Sequence, residues 1–380
     1  MLVEKLSNNT DAKVLLTKLG VDSGGISILA SKMKHHVIYI KDLHVGGANI
    51  LKQDALSIGA DLAVPRGTVI AKEPYVDCIL IATHQQLKIL SKKELAQPFG
   101  LKELAHDLAR ISKAKRTPDI KIMGVLNANE DSFFAGSRYQ DSLATQRIEN
   151  MIEEGASIID IGGVSSRPGA DKVDVQEELK RVKPILDSIR NNKLYEHVRF
   201  SIDSYEPLVI QYALESGFNI VNDITGLVDD EVSKLCAKYN ATAILMHMQG
   251  TPQTMQDNPE YTSLLSNIHS FFEQRIANAE SLGVQDIVLD VGIGFGKTLE
   301  DNLSLIKNLE HFLSLGKELL IGASRKSMIN SIINTEVEQR LPGTLALHLE
   351  AVKNGASLLR VHDVKEHVQA IKVYQELKNI

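Results

Sequence analysis

The sequence predicts an α/β chain: a (β/α)8 barrel preceded by a small N-terminal α/β domain. Three observations carry this expectation. From about residue 120, one cycle recurs, an apolar run followed by an amphipathic helix pattern. Eight such runs fall within residues 118–380, a spacing of about 33 residues that suits a strand plus a helix. The runs are near-continuously apolar, as expected for parallel strands buried on both faces.

In chain order the barrel strands are expected at Ile122–Asn127, Ser157–Gly163, Val198–Asp203, Phe218–Asp223, Thr242–Met248, Asp286–Gly292, Leu319–Ser324 and Ser357–Asp363. Each is rich in β-branched or other apolar residues and ends on polar residues or glycine. Helical periodicity appears at Ser142–Glu154, Val175–Asn191, Glu206–Ser216, Thr262–Leu282, Glu300–Leu313 and Gly343–Asn354. An open doubly wound sheet is the alternative, but it usually has fewer strands, and no dinucleotide fingerprint opens this one. The first segment, residues 1–117, has strand-like apolar runs at Ile26–Ala30, His36–Ile40, Leu62–Val64 and Cys78–Ala82. Helical patterns lie at Asp11–Leu19, Ala48–Ile58, Gln85–Leu95 and Gly100–Ser112. The polar, proline-containing stretch 113–119 reads as a linker, giving domains 1–117 and 118–380.

The composition agrees with a globular chain. Of 380 residues, 43% are apolar, and 42 Lys and Arg against 48 Asp and Glu leave a net charge of -6. A disordered or fibrous chain is excluded. No apolar run reaches the roughly 18 residues that a membrane span needs, and no membrane association is expected. The opening residues lack a basic flank followed by an apolar stretch, so no secretory signal is expected. Two distant cysteines, Cys78 and Cys236, build neither a disulfide framework nor a multi-cysteine zinc site, which points to a reducing cytoplasm. Residues 1–117 hold 17 Lys and Arg against 11 Asp and Glu. That excess is spread out, with short clusters at Lys92-Lys93 and Lys113-Ala-Lys115-Arg116 and few aromatics, so it reads as solvated surface and no nucleic-acid partner is expected.

In such a barrel, chemistry sits at the C-terminal ends of the strands. Those ends here are Asn127, Gly162-Gly163, Asp203, Asn222-Asp223, His247, Asp290, Ser324-Arg325-Lys326, and Arg360 with His362. Carboxylates, amides, cations and imidazoles are expected to converge on one mouth. Arg and Lys beside glycine-rich loops suit an anionic, phosphorylated ligand. Asp and Asn suit a heterocycle rich in donors and acceptors. Other motifs fail. Gly292-Ile-Gly294-Phe-Gly296-Lys297-Thr298 resembles a P-loop, but Val291 stands where the first glycine belongs, and Lys297 stands where a dinucleotide motif needs glycine. The glycine run therefore reads as a close-approach loop. His348-Leu-Glu350 has the spacing of half a zinc-deaminase site but lacks the cysteine pair, and is expected on a helix surface. His35, His36, His44, His84, His106, His197, His269, His311 and His367 show no ligand spacing and are expected on surfaces or loops. No nucleophile elbow is present.

Taken together, several segments resemble the dihydropteroate synthase family. They are Ile122-Met-Gly-Val-Leu-Asn127 with Asp131-Ser-Phe133, Asp160-Ile-Gly-Gly163 with Ser166-Arg-Pro-Gly169, Ser201-Ile-Asp203, and Asn222-Asp-Ile224. Met246-His-Met-Gln-Gly-Thr-Pro252, Asp290-Val-Gly-Ile-Gly-Phe-Gly-Lys297, Gly322-Ala-Ser-Arg-Lys-Ser327, Gly343-Thr-Leu-Ala346 and Arg360-Val-His-Asp363 follow in family order. The resemblance spans residues 120–380. It implies condensation of 6-hydroxymethyl-7,8-dihydropterin pyrophosphate with p-aminobenzoate, an alkyl transfer that releases pyrophosphate and is inhibited competitively by sulfonamides. Carried over, Asp203, Asn222 and Asp290 bind the pterin edge, with Lys326 on its carbonyl side. Met246, Ile224, Gly322 and Phe295 line the slot. Arg360 stacks on the pterin and, with His362 and Asn127, holds the pyrophosphate; Asn127 also ligates Mg2+. Ser166, Arg167 and Pro168 help shape the aminobenzoate pocket, with Ser327 near its carboxylate. The catalytic set so implied is Asp203, Asp290, Lys326, Arg360 and His362, and a homodimer is implied as well.

The first loop departs from the family pattern. Ala128-Asn-Glu130 replaces Val-Thr-Pro, so the fixed φ of a proline is lost, and Phe134 and Arg138 enter the loop. Val164 and Ser166 stand where Glu and Thr are common, and Asp290-Val-Gly replaces Asp-Pro-Gly. The resemblance does not cover residues 1–117, for which packing or assembly is the expectation. Two other readings remain. A methyltetrahydrofolate–corrinoid methyltransferase would share the pterin grip but leave the Ser324–Ser327 and Arg360–His362 elements surplus. A non-catalytic pterin-binding protein would explain the altered first loop.

Overall fold

The computed structural model describes residues 3–7, 10–117, 119–128, 138–164, 173–251, 253–255 and 258–379, without the side chains of 138–142 and 379. It divides into two compact units, Met1–Ala114 with Gln375–Ile380, and Lys115–Tyr374.

The first unit opens with helices α1 (Ala12–Lys18) and α2 (Ser23–Met33). Then come β1 (His35–His44), α3 (Val45–Ser57), β2 (Asp61–Ala63), β3 (Tyr75–Thr83), α4 (His84–Lys93) and α5 (Leu101–Lys113). The strands form an antiparallel sheet in the order β1-β3-β2. Ile40, Leu62, Cys78 and Leu80 from the sheet pack against Leu51, Leu87, Leu90 and Leu108 from the helices. The α/β character is as the sequence predicts, with one correction. Ile26–Ala30, grouped with the strand-like runs, lies inside α2. Asp22 caps that helix by accepting the Gly24 N–H at 2.9 Å, a signal that outweighs a short apolar run.

The second unit is a closed barrel of eight parallel strands. They are β4 (Lys121–Asn127), β5 (Ile158–Gly162), β6 (Arg199–Asp203), β7 (Ile220–Asp223), β8 (Thr242–Met246), β9 (Ile287–Asp290), β10 (Glu318–Ile321) and β11 (Leu358–Val361). Pairing of β11 with β4 closes the ring. The intervening helices are α6 (Arg138–Glu154), α7 (Val175–Asn191), α8 (Pro207–Glu215), α9 (Asp230–Tyr239), α10 (Leu264–Ser281), α11 (Leu299–Lys307), α12 (Ser327–Ile332) and α13 (Leu341–Lys353), followed by α14 (Val364–Asn379). The expected strands are all present; β4, β6 and β7 run to their expected last residue, and the other five are trimmed at the C-terminal end, where glycine or polar loop residues leave the ladder. The helix expected over Glu300–Leu313 ends at Lys307 and continues as a 3-10 helix, Leu309–Leu315.

One feature of the barrel places the chemistry. Met123, Ile158, Ile220, Ile244, Val288, Leu320 and Leu358, one from each of seven strands, pack as a single buried cluster. Burying side chains of this size contributes roughly 1.5–3 kcal/mol each. On a strand, the same face returns every second residue. Two positions beyond this layer stand Asp160, Asn222, Met246, Asp290, Gly322 and Arg360. On β6, Ser201 pairs with Ile220, and Asp203 with Asn222. The apolar plug is thus a floor, and the polar layer directly above it is the mouth.

Candidate active site

Arg360 is the hub of the mouth. Its Nε donates to Asp160 Oδ2 at 2.6 Å, and its Nη2 to Asp203 Oδ2 at 2.6 Å. Asn222 Nδ2 donates to the same Asp160 oxygen at 3.2 Å. Burial pushes the Asp203 carboxyl up to about 7, and Arg360 acts against that rise. Burial alone would pull the Arg360 guanidinium down, but Asp160 and Asp203 outweigh it and hold its pKa above the ordinary range. Among the described residues, the buried Asp160 Oδ1 has no hydrogen-bond partner, so the mouth keeps unused polar capacity.

The opposite wall comes from the loops after β9 and β10. Asp290 is buried, accepts the Gly292 N–H at 2.8 Å, and is raised above the usual carboxylate range by burial. Lys326 Nζ stands 4.2 Å from the Phe295 ring centroid and donates to the Ile293 carbonyl. Burial lowers Lys326 to about 8, with Asp290 opposing. Ile224, Met246, Met255 and Phe295 form an apolar cluster, with Tyr205 and Met248 packed against it. Polar groups on one side and a flat apolar wall on the other suit a planar heterocycle with a hydrogen-bonding edge.

Glycine makes the β9 loop possible. Gly292 has φ +68°, and a Cβ there would lie 2.0 Å from the His247 carbonyl oxygen. The run is a close-approach loop, as its spacing predicts. Lys297 fastens it, donating to the Phe295 carbonyl at 2.9 Å and to the His247 carbonyl at 3.3 Å, and contacting His247 Nδ1 at 3.0 Å. Burial lowers Lys297 to about 7 and His247 to about 3.

At the remaining corner, Ser324 Oγ accepts the His362 N–H at 3.2 Å and lies 2.9 Å from His362 Nδ1. If the hydroxyl proton goes to Nδ1, the ring proton sits on Nε2. Asn127 ends β4, half-buried, and the next residue ties that strand to β5 through Ala128 N–H to the Gly162 carbonyl at 2.7 Å. Ser327 opens α12 and is exposed.

Of the expected site residues, Asp203, Asn222, Met246, Asp290, Gly322 and Arg360 fall in one layer, with Ile224, Phe295, Lys326 and His362 on the loops that follow. Ser166, Arg167 and Pro168 lie outside the described residues, as do Asn129, Glu130 and Asp131–Phe134. Three strand-end residues do not join the mouth. Asp223 follows the inward Asn222, so it faces outward and caps its own loop, accepting from the Thr225 N–H at 2.6 Å and the Leu227 N–H at 3.1 Å. His247 follows Met246 and turns to Lys297 for the same reason. Arg325 adopts φ +56° and pairs with Asp363. One member was missed: Asp160, a lone carboxylate inside an apolar strand, two residues after Ile158. A charge in phase with an inward core residue is the signal that could have found it. His348 and His367, expected on surfaces, are each 1% exposed.

Comparison with known proteins agrees with this arrangement. The profile described as pterin binding enzyme matches residues 123–362. A bifunctional dihydropteroate synthase/dihydropteroate reductase of Helicobacter pylori is 44% identical over 379 residues, covering 100% of this chain and 99% of that one. A dihydropteroate synthase of Haemophilus influenzae is 40% identical, covering 68% of this chain and 94% of its own. The Yersinia pestis dihydropteroate synthase crystallised with a sulfonamide drug complex superposes with TM-score 0.63 at 36% identity, over 68% of this chain and 94% of that one. A barrel whose polar layer matches the motifs, and a relative alike from end to end, lead to one conclusion: this chain belongs to the dihydropteroate synthase family.

Proposed function

We propose that the mouth makes dihydropteroate by loosening pyrophosphate from the pterin CH2 before the amine of p-aminobenzoate attacks. The observation that carries this reading is Arg360, a cation fixed between the buried Asp160 and the largely buried Asp203 in a mouth that also holds Lys326 and His362. The pterin's amino-pyrimidine edge meets Asp203, Asn222 and Asp290, and Lys326 donates to its carbonyl. The Asp203 carboxyl, pushed up to about 7, and the Asp290 carboxyl, raised by burial, face the ring where positive charge builds as the C–O bond lengthens. Arg360 and the Nε2–H of His362 donate to the departing pyrophosphate. The amine is a neutral nucleophile and needs no covalent intermediate. Ser327 serves the aminobenzoate side.

Among the described residues, no three His, Cys, Asp or Glu side chains group as a resident metal site. The hard amide oxygen of Asn127 fits Mg2+ that arrives with the substrate's pyrophosphate. Bound there, the ion supplies charge neutralisation on the leaving group. The reading is tested by titrating pyrophosphate with Mg2+ calorimetrically. Binding that competes with dihydropterin pyrophosphate and weakens in His362→Ala supports it; no binding favours the methyltransferase alternative.

A second reading has its own support. The relative alike over the whole chain is named for dihydropteroate reductase as well, whereas the 40% relative covers only 68% of this chain. We infer that the full chain also reduces its product, a hydride from a reduced external donor and a proton adding across the pterin C=N. Dihydropteroate-dependent loss of the donor's absorbance, with tetrahydropteroate formed in equal amount, tests this; donor left unconsumed rejects it.

A further inference from the structure

Two buried histidines behind the mouth, His348 on α13 and His367 on α14, form a chain whose proton positions are fixed by its two ends. At one end the backbone N–H of Ala323 donates to His348 Nε2 at 3.1 Å. A backbone amide can only donate, so Nε2 carries no proton, and a neutral ring must carry it on Nδ1. His348 Nδ1 lies 2.9 Å from His367 Nε2, so His348 donates and His367 accepts. The His367 proton then sits on its Nδ1, which reaches the Asp363 carbonyl at 2.6 Å. Any added proton forces a donor against a donor, either at Ala323 or between the rings. Burial holds both rings below the ordinary histidine range; His367 and then His362 add to this at His348, while Asp363 and Glu366 oppose it at His367.

The two ends belong to the two loops that carry the anion-binding groups. Ala323 opens the stretch that leads to Lys326, and Asp363 follows His362. The same loops are joined by Ser324 to His362, and by Arg325 Nε to Asp363 Oδ2 at 3.0 Å. Thr344 on helix α13 and Arg340, the residue that caps its start, hold the first loop at two further points. Thr344 Oγ1 accepts the Arg325 N–H at 3.0 Å, and Arg340 donates to the Arg325 carbonyl at 3.1 Å. Arg325 needs such support, because a side chain at φ +56° is strained.

We propose that His348 and His367 are positioning residues for the synthase reaction, a neutral imidazole pair that sets the spacing between the Ala323–Lys326 and His362–Asp363 loops. The inference rests on the reading that these loops hold the pyrophosphate end of the substrate. Neither ring touches substrate; each acts through Lys326, Arg360 and His362.

The test uses the full chain. His348→Leu fills the space without hydrogen bonds, and His348→Gln keeps an acceptor for Ala323 and a donor for His367. His348→Leu should raise the KM for dihydropterin pyrophosphate, and weaken inhibition by inorganic pyrophosphate, about tenfold each. The KM for p-aminobenzoate should stay within twofold, and His348→Gln should recover most of the loss. A uniform loss in both KM values, or a Gln variant no better than Leu, overturns the proposal. Nitrogen-15 spectra of the histidines in the unmodified protein give a second check that needs no variant. Both rings must be neutral with the proton on Nδ1 at pH 7; an Nε2–H or imidazolium signal overturns it. His362→Ala, measured alongside, separates the two layers of reasoning. If it leaves pyrophosphate inhibition unchanged, the loop assignment fails, while the tautomers and the Gln rescue still judge the histidine pair.

Discussion

Replacing Arg360 with alanine tests the electrostatics of the mouth. Two 2.6 Å contacts vanish, and Asp160, fully buried, loses its cation, as does Asp203, whose side chain is 11% exposed. Stranding a buried charge by removing its partner costs about 3–5 kcal/mol. That is a large share of a typical stability of roughly 5–15 kcal/mol. The cost has a pH signature. A carboxyl with a higher pKa folded than unfolded favours the folded state at low pH and loses that advantage as pH rises through the folded value. Asp203 reaches about 7 with Arg360 present. Without the guanidinium it moves higher. Above pH 7 the native protein has already ionised Asp203 while the variant has not, so the variant's deficit grows by about 1.4 kcal/mol per pH unit. Urea unfolding at pH 6 and pH 8.5 reads this difference. Adding Asp160→Asn to Arg360→Ala removes one stranded charge and should restore part of the stability, with synthase activity still lost. Equal destabilisation at both pH values, without rescue by Asp160→Asn, would mean that Arg360 does not hold these carboxylates.

Other outcomes follow from the same geometry. Lys326→Ala should lower kcat/KM by roughly 100-fold or more, and in the unmodified enzyme kcat/KM should fall above about pH 8, where Lys326 loses its proton; a flat profile to pH 10 contradicts this. Gly292→Ala sets a Cβ 2.0 Å from the His247 carbonyl at φ +68°, so the urea midpoint should drop by an amount equivalent to about 3 kcal/mol or more. In the first unit, burial and the nearby Asp54 raise Glu94 to about 7. Its stabilising contribution is present below about pH 4.5 and fades as pH rises through 7, so Glu94→Gln should flatten the stability profile over that window, and an unchanged slope rejects the assignment.

The barrel was legible because eight buried parallel strands write near-continuous apolar runs, and because their ends switch abruptly to polar residues or glycine. Period-two spacing also carries the site. Asn222, Asp290 and Arg360 each stand two residues beyond an inward Ile, Val or Leu. The same rule, applied to Asp160, would have added the hub's second carboxylate, and would have turned Asp223 and His247 away from the mouth. What could not be read was the layer behind the site. His348 and His367 sit on different helices, 19 positions apart, and nothing local marks them as partners. Their burial depends on how α13 and α14 pack. The Ile26–Ala30 run shows the opposite failure, a short apolar stretch overruled by an Asp22 cap immediately before the helix.

The most direct measurement follows both products at once, with dihydropterin pyrophosphate, p-aminobenzoate and Mg2+ in the assay. Pyrophosphate and dihydropteroate should appear in equal amounts and at equal rates, with pyrophosphate release suppressed in Arg360→Ala. Tight binding of the pterin substrate with neither product formed would contradict this, and would move the non-catalytic reading of the altered first loop to the front.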